Sequence, residues 1–185
     1  MINVNDIKNG MTILVDDNLY IVLEFQHVKP GKGAAFVKTK LRNLRTGSNI
    51  EYTFNSSAKI ERAMVEKKAF QYLYNSGDNY VFMNVETYEQ IELNKKLLED
   101  KIDYLKESLE VELVYYKEEI IDINLPEKLE MVITSTEPAT KGNTATSATK
   151  EATLETGLVL RVPLFIGEGE TIIVSTKDGK YVSRK

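Results

Sequence analysis

Apart from one stretch near the middle, the chain is written in short runs of β-forming residues cut by turn clusters, a pattern that excludes a fold built on helices. Thr12-Ile13-Leu14-Val15 is followed by the polar cluster Asp16-Asp17-Asn18 and then by Leu19 to Phe25, which reads as strand, turn, strand. The run from Ala35 to Leu44 alternates from Val37 onward. Val37, Thr39 and Leu41 fall on one face of a strand, and Lys38, Lys40 and Arg42 on the other, which is expected to face solvent. Thr46 to Asn49 is a turn, and Ile50 to Phe54 is the next strand. Short strands at this spacing predict a small barrel or a sandwich.

Phe70 to Tyr74, then Asn75 to Asn79, then Tyr80 to Met83 is a hairpin signal. The exception follows. From Asn94 to Leu109 the apolar residues Leu97, Leu98, Ile102, Leu105 and Leu109 recur at helical spacing, which predicts one helix. Asn94 is its expected N-cap, and Glu92 is expected to pair with Lys96 across one turn. Val111 to Tyr116 returns to strand, and strands with one inserted helix suggest an OB-like barrel. Leu125-Pro126-Glu127 is a plausible linker. Met131 to Thr136 is a strand, and residues 137–150 form a long loop poor in large apolar residues. Gly157 to Ile166, Thr171 to Val174 and Tyr181 to Lys185 complete a third strand-rich segment, with a tight Asp178-Gly179 turn between the last two.

Charge separates these segments. The chain carries a net −4, but residues 1–64 hold nine Lys/Arg against six Asp/Glu, residues 65–128 hold eight against fifteen, and residues 129–185 hold seven against seven. Lys29, Lys32, Lys38, Lys40, Arg42 and Arg45 lie within seventeen residues with no acid among them. Such a local stripe suits phosphate contact better than the total charge suggests, although a merely solvated strand face would read the same way. There is no cysteine, so disulfides, thiolate metal sites and a thiol nucleophile are excluded. No basic segment leads into an apolar run at the start, and no apolar stretch reaches membrane-spanning length. A soluble, cytoplasmic protein without membrane contact is the expectation.

The most informative short segment is Lys29-Pro30-Gly31-Lys32-Gly33-Ala34-Ala35-Phe36. Flanking glycines leave the Lys32 side chain standing free between two strands. It is either an ordinary solvated lysine in a glycine-rich turn or a group presented to a narrow site. It is not a nucleotide P-loop, which needs Gly-Lys-Ser/Thr opening a helix, and it lacks the third glycine of a dinucleotide site. His27 is the only histidine, too few for a histidine metal site, and no nucleophile-elbow pattern accompanies it. The acids between Glu86 and Asp122 read as a solvated surface rather than a glycosidase pair. Tyr181, close to Arg184, is a candidate for stacking on RNA. A small hydrolase using His27 or these acids is the least favoured reading.

Three stretches carry a family resemblance: KPGKGAAFVKTKLRNLRTG from Lys29, FQYLY from Phe70 followed by Gly77-Asp78, and ATLETGLVLRVPLFIGEGETIIVSTKDGKYVSRK from Ala152. Together they resemble the elongation factor P family, a relative of initiation factor five A, over nearly the whole chain. The resemblance implies a mainly β protein of three small barrels in an L. An SH3-like (KOW-like) barrel over residues 1–64 would precede two OB-like barrels, over 65–127 with one short helix and over 128–185. It implies a monomeric, non-enzymatic translation factor with no metal or cofactor. Such a factor binds the 70S ribosome and its ribosomal RNA between the peptidyl and exit tRNA sites and relieves stalling at consecutive prolines. Lys32 would meet the acceptor end of peptidyl-tRNA, supported by Lys29, Pro30, Gly31 and Gly33, and a dedicated enzyme would extend it covalently. Lys38, Lys40, Arg42 and Arg45 would hold RNA phosphates. Gly142, Asn143 and Thr144, with Tyr181 and Arg184, would contact RNA from the third barrel. Many members have Asp where this chain has Asn143, so the charge of that contact differs here. A general RNA-binding paralogue without proline-stall activity is the alternative.

Overall fold

The computed structural model describes residues 1–138 and 148–185. It is mainly β, with three antiparallel sheets drawn from successive parts of the chain.

The first sheet is built from β1 (Ile2–Asn3), β2 (Thr12–Val15), β3 (Asn18–Val28), β4 (Phe36–Asn43), β5 (Asn49–Asn55) and β6 (Lys59–Arg62), in the order β1-β6-β2-β3-β4-β5. The β2–β3 hairpin closes through Asp16 and Asp17, both with positive φ (49° and 63°), which is the two-residue turn whose twist matches that of the flanking strands. The alternation expected in β4 is present. Val37, Thr39, Leu41 and Asn43 are buried, and Lys38, Lys40 and Arg42 are exposed. The core beneath β4 holds Val4, Ile7, Ile13, Val22, Val37, Leu41, Phe54 and Ile60. Thr39 survives there because its hydroxyl donates to the Tyr52 carbonyl at 2.7 Å, leaving no buried polar group unpaired.

The second sheet contains β7 (Glu66–Ser76), β8 (Asn79–Asn84), β9 (Gln90–Asn94), β10 (Glu110–Tyr116) and β11 (Glu119–Asn124), ordered β11-β10-β7-β8-β9. The expected hairpin is β7–β8. The helix differs from expectation. Only α1 (Lys95–Leu98) is α-helical, and Glu99–Tyr104 continues as a 3-10 helix. Asn94 does cap it, its side-chain oxygen accepting from the Lys96 amide at 3.0 Å. The helix stops because Glu99 takes φ 39°. By residue 108 the chain has turned back, the Ser108 amide donating to the Tyr72 carbonyl at 2.9 Å. Leu98, Leu105 and Leu109 are nonetheless buried, so the spacing reported burial correctly and helix length wrongly. Glu92 lies in β9 rather than one helical turn before Lys96.

The third sheet holds β12 (Lys128–Thr136), β13 (Thr149–Leu154), β14 (Val159–Pro163), β15 (Thr171–Ser175) and β16 (Tyr181–Arg184), ordered β14-β13-β12-β15-β16. The outer strands β14 and β16 approach one another, curling the sheet around Met131, Ile133, Leu154, Val162, Ile172 and Val174. The long strand read from Gly157 to Ile166 is shorter than expected. It ends at Pro163, which leaves Phe165 exposed in the following turn.

Packing groups the chain differently from hydrogen bonding. One compact unit comprises Met1–Lys67 with Val114–Asp122, and the other comprises Lys68–Leu113 with Ile123–Lys185. In the first unit, Leu19, Ala63, Val114 and Ile121 form a second small core.

Candidate nucleic-acid interface

Seven residues, 29–35, join β3 to β4, and Lys29, Pro30, Gly31, Lys32 and Gly33 are all exposed. Gly33 has φ +103°, a conformation an L side chain rarely adopts. The strands beneath are firmly paired, Val28 with Phe36 and His27 with Val37, so a rigid two-strand stalk carries a narrow tip. Lys32 is in no ion pair or side-chain hydrogen bond among the described residues. His27 lies on the stalk in an edge-on contact with Phe25, ring centroids 5.6 Å apart. That places it as a packing residue at the base of the tip.

The face of β4 that turns away from the core carries Phe36, Lys38, Lys40 and Arg42 in line from the tip. Register decides what surrounds each. Lys38 lies between Gln26 of β3 and Thr53 of β5, and its ammonium sits 6.0 Å from the Phe36 ring centre. Lys40 lies between Glu24 and Glu51. The stripe that contains no acid in sequence is therefore interrupted by two acids in space. Arg42 donates to the Asn49 side chain at 3.3 Å. Arg45 is in the β4–β5 turn, where the Asn43 carboxamide oxygen accepts from the Arg45 and Thr46 amides at 2.9 and 3.1 Å. Its guanidinium pairs with Glu119 at 3.1 Å, so part of its hydrogen-bonding capacity is already engaged.

In the third sheet, Arg184 and Tyr181 are separated by register. Arg184 pairs with Ile172, and Tyr181 with Val174 beside the β15–β16 turn. Arg184 is held by the Glu170 carboxylate and lies over the exposed Phe165 ring, 5.3 Å from its centre. The same carboxylate accepts from the Gly167 amide. These bonds, the backbone one foremost and Arg184 next, hold the Glu170 carboxyl below the usual carboxylate range. Gly142, Asn143 and Thr144 lie outside the described residues.

Sequence reasoning missed Glu24, Glu51, Phe165 and Glu170. The only signal for the first two was strand pairing with Lys40 across sixteen and eleven positions of sequence, which no local pattern states. Among the described residues no cluster of His, Asp and Glu is placed to hold a metal ion, and no helix is long and apolar enough to cross a membrane.

Comparison with known proteins meets this geometry segment by segment. The Elongation factor P (EF-P) KOW-like domain matches residues 3–60, the Elongation factor P (EF-P) OB domain matches residues 65–123, and Elongation factor P, C-terminal, matches residues 129–184. Among solved structures, Eukaryotic translation initiation factor 5A from Methanococcus jannaschii is similar with a TM-score of 0.55 and 24% identity. That match covers 68% of this chain and 90% of the other. The Translation initiation factor eif-5a family protein from Naegleria fowleri ATCC 30863 gives 0.50 and 19%, covering 67% and 96%. At these identities the two structures speak for the fold alone. With its three domains matched in order, a KOW-like domain followed by two domains of the same family, the chain belongs to the elongation factor P family of translation factors.

Proposed function

We propose that this translation factor associates with the 70S ribosome between the peptidyl and exit tRNA sites and promotes peptide-bond formation at consecutive prolines. The observation that carries the reading is Lys32, exposed and unpaired among the described residues at the tip of a narrow two-strand stalk, with glycine on either side. The stalk reaches where the sheet beneath it cannot. Lys32, extended covalently by a modifying enzyme, lies along the acceptor end of the peptidyl-tRNA. Lys29, Lys38, Arg42 and Arg45 supply positive charge toward RNA phosphates, which positions the factor without reading sequence. Tyr181, Arg184 and the Gly142-Asn143-Thr144 loop supply further RNA contacts.

The mechanism needs no chemical group from this chain. Proline is a poor partner in peptide-bond formation, and its nascent chain settles in unproductive geometry. Holding the acceptor end in place removes orientational freedom before the reaction, an effect that can lower a barrier by several kcal/mol, up to about 7–11 in well-oriented systems. The ribosome remains the catalyst, and the factor acts as a cytoplasmic monomer.

The test is full-length synthesis from a message encoding three consecutive prolines, in a purified translation system lacking the factor. Protein from its native source restores synthesis, and Lys32→Ala does not. Correctly folded wild type that restores nothing would reject this activity and favour a general RNA-binding paralogue.

A further inference from the structure

The outer face of the first sheet carries a second device, distinct from the Lys32 tip. Glu24, Lys40 and Glu51 stand in one row across β3, β4 and β5. All three are exposed, and none makes a side-chain hydrogen bond or ion pair among the described residues. They line an open groove of about 650 Å³, within the size range of small-ligand sites, that also takes in Lys38. Phe36 lies on the same face, one row further toward the tip. The row therefore presents acceptor, donor, acceptor, with a second cation, Lys38, in the row beside it.

Flanking Lys40 directly across the strands, the two carboxylates favour the sheet as opposite-charge neighbours, but they repel the backbone of any nucleic acid and so work against phosphate tracking alone. Carboxylates on such a face match the exocyclic amines of bases. We propose that this row reads the edge of an unpaired adenine in RNA, with Lys38 on the adjoining phosphate. The choice of base follows from the order of groups. Adenine presents its N6 amine as donor beside a ring nitrogen as acceptor, which meets one glutamate and Lys40. Its remaining C–H leaves the second glutamate unopposed. Cytosine satisfies the first two positions but turns its O2 toward the second carboxylate. Uracil is anti-complementary, with O4 against a carboxylate and N3–H against the ammonium. Single-stranded RNA is the form in which such edges are free to be read. The inference rests on the reading that this domain faces RNA, and it adds a base preference to it.

The experiment is an amide NMR titration of the full-length chain with AMP and with UMP, which share ribose and phosphate and differ only in the base. AMP is expected to move the amides of Glu24, Lys40 and Glu51 and to saturate at about five- to tenfold lower concentration than UMP. In Glu24→Gln/Glu51→Gln the two are expected to converge to within about twofold, because an amide side chain both donates and accepts. Lys38→Met is expected to weaken both nucleotides alike. Because all of these residues are exposed, the spectra themselves report that the variants fold. Equal responses to AMP and UMP in the wild type, shifts confined to other surfaces, or a preference that survives the double substitution would each overturn the proposal. The two readings fail separately. Loss of proline-message synthesis with the AMP preference intact rejects the Lys32 mechanism alone, and full synthesis with no AMP preference rejects the groove alone.

Discussion

Position 179 favours glycine. Its φ is +70°, and a Cβ there would lie 2.8 Å from the Tyr104 hydroxyl oxygen. Gly179→Ala is expected to destabilise the protein by about 1–3 kcal/mol, read from denaturant midpoints. Lys32 is the opposite case. No described residue holds its side chain by an ion pair or hydrogen bond, so Lys32→Ala is expected to change stability by no more than about 0.5 kcal/mol while abolishing proline-message synthesis. A large loss of stability would mean that the tip is structural. Glu170 carries a pH dependence at this scale. Its folded carboxyl is depressed by the Gly167 amide first and by Arg184 second, so the stabilisation it gives is present above the ordinary carboxylate value. That stabilisation is lost as pH falls through the depressed folded value. A carboxyl-resolved NMR titration is expected to show Glu170 titrating below the ordinary glutamate value, and Arg184→Met to move it part of the way back, since the backbone bond remains. The residue scale was only partly legible beforehand. Lys32 stood out through its glycines, whereas Glu170 gave no local sign of its two partners.

Elements were read best where a single face is buried. Period-two alternation fixed β4, because a shift of one residue would place Lys38, Lys40 and Arg42 in the core and Val37 and Leu41 in water. The helical period over residues 94–109 was less reliable. Leu98, Leu105 and Leu109 are all buried, but through a short helix, a 3-10 segment and a turn rather than one continuous helix. Spacing reports which positions need burial, and several backbone paths can supply it. The hairpin β7–β8 offers the corresponding energetic test. Phe82 is fully buried and packs against Tyr72, ring centroids 5.4 Å apart. Phe82→Ala is expected to cost about 3–5 kcal/mol, from lost transfer energy and the cavity left behind, measured by chemical denaturation.

At the scale of the whole molecule, adjacent residues part company. Leu113 and Val114 are both buried, yet they belong to different compact units. Val114 and Ile121 complete a core with Leu19 and Ala63, so a segment more than a hundred positions into the chain stabilises the first unit. Ile121→Ala is expected to cost about 2–5 kcal/mol and to speed hydrogen exchange at Leu19, a residue a hundred-odd positions away in sequence. Unchanged exchange there would show that the small core contributes nothing. By itself the sequence determined the β class, the places of most strands, the polarity of the β4 faces, the exposed Lys32 tip and the family. Those properties are local or periodic, and turn chemistry and side-chain alternation write them into consecutive residues. Only the tertiary structure decided that Lys40 stands between Glu24 and Glu51, that Arg45 meets Glu119, that Arg184 is held by Glu170 over Phe165, and that Ile121 packs beside Leu19. Each of these depends on which strand lies next to which and in what register. Register is settled by the packing of whole sheets rather than by any one stretch of chain.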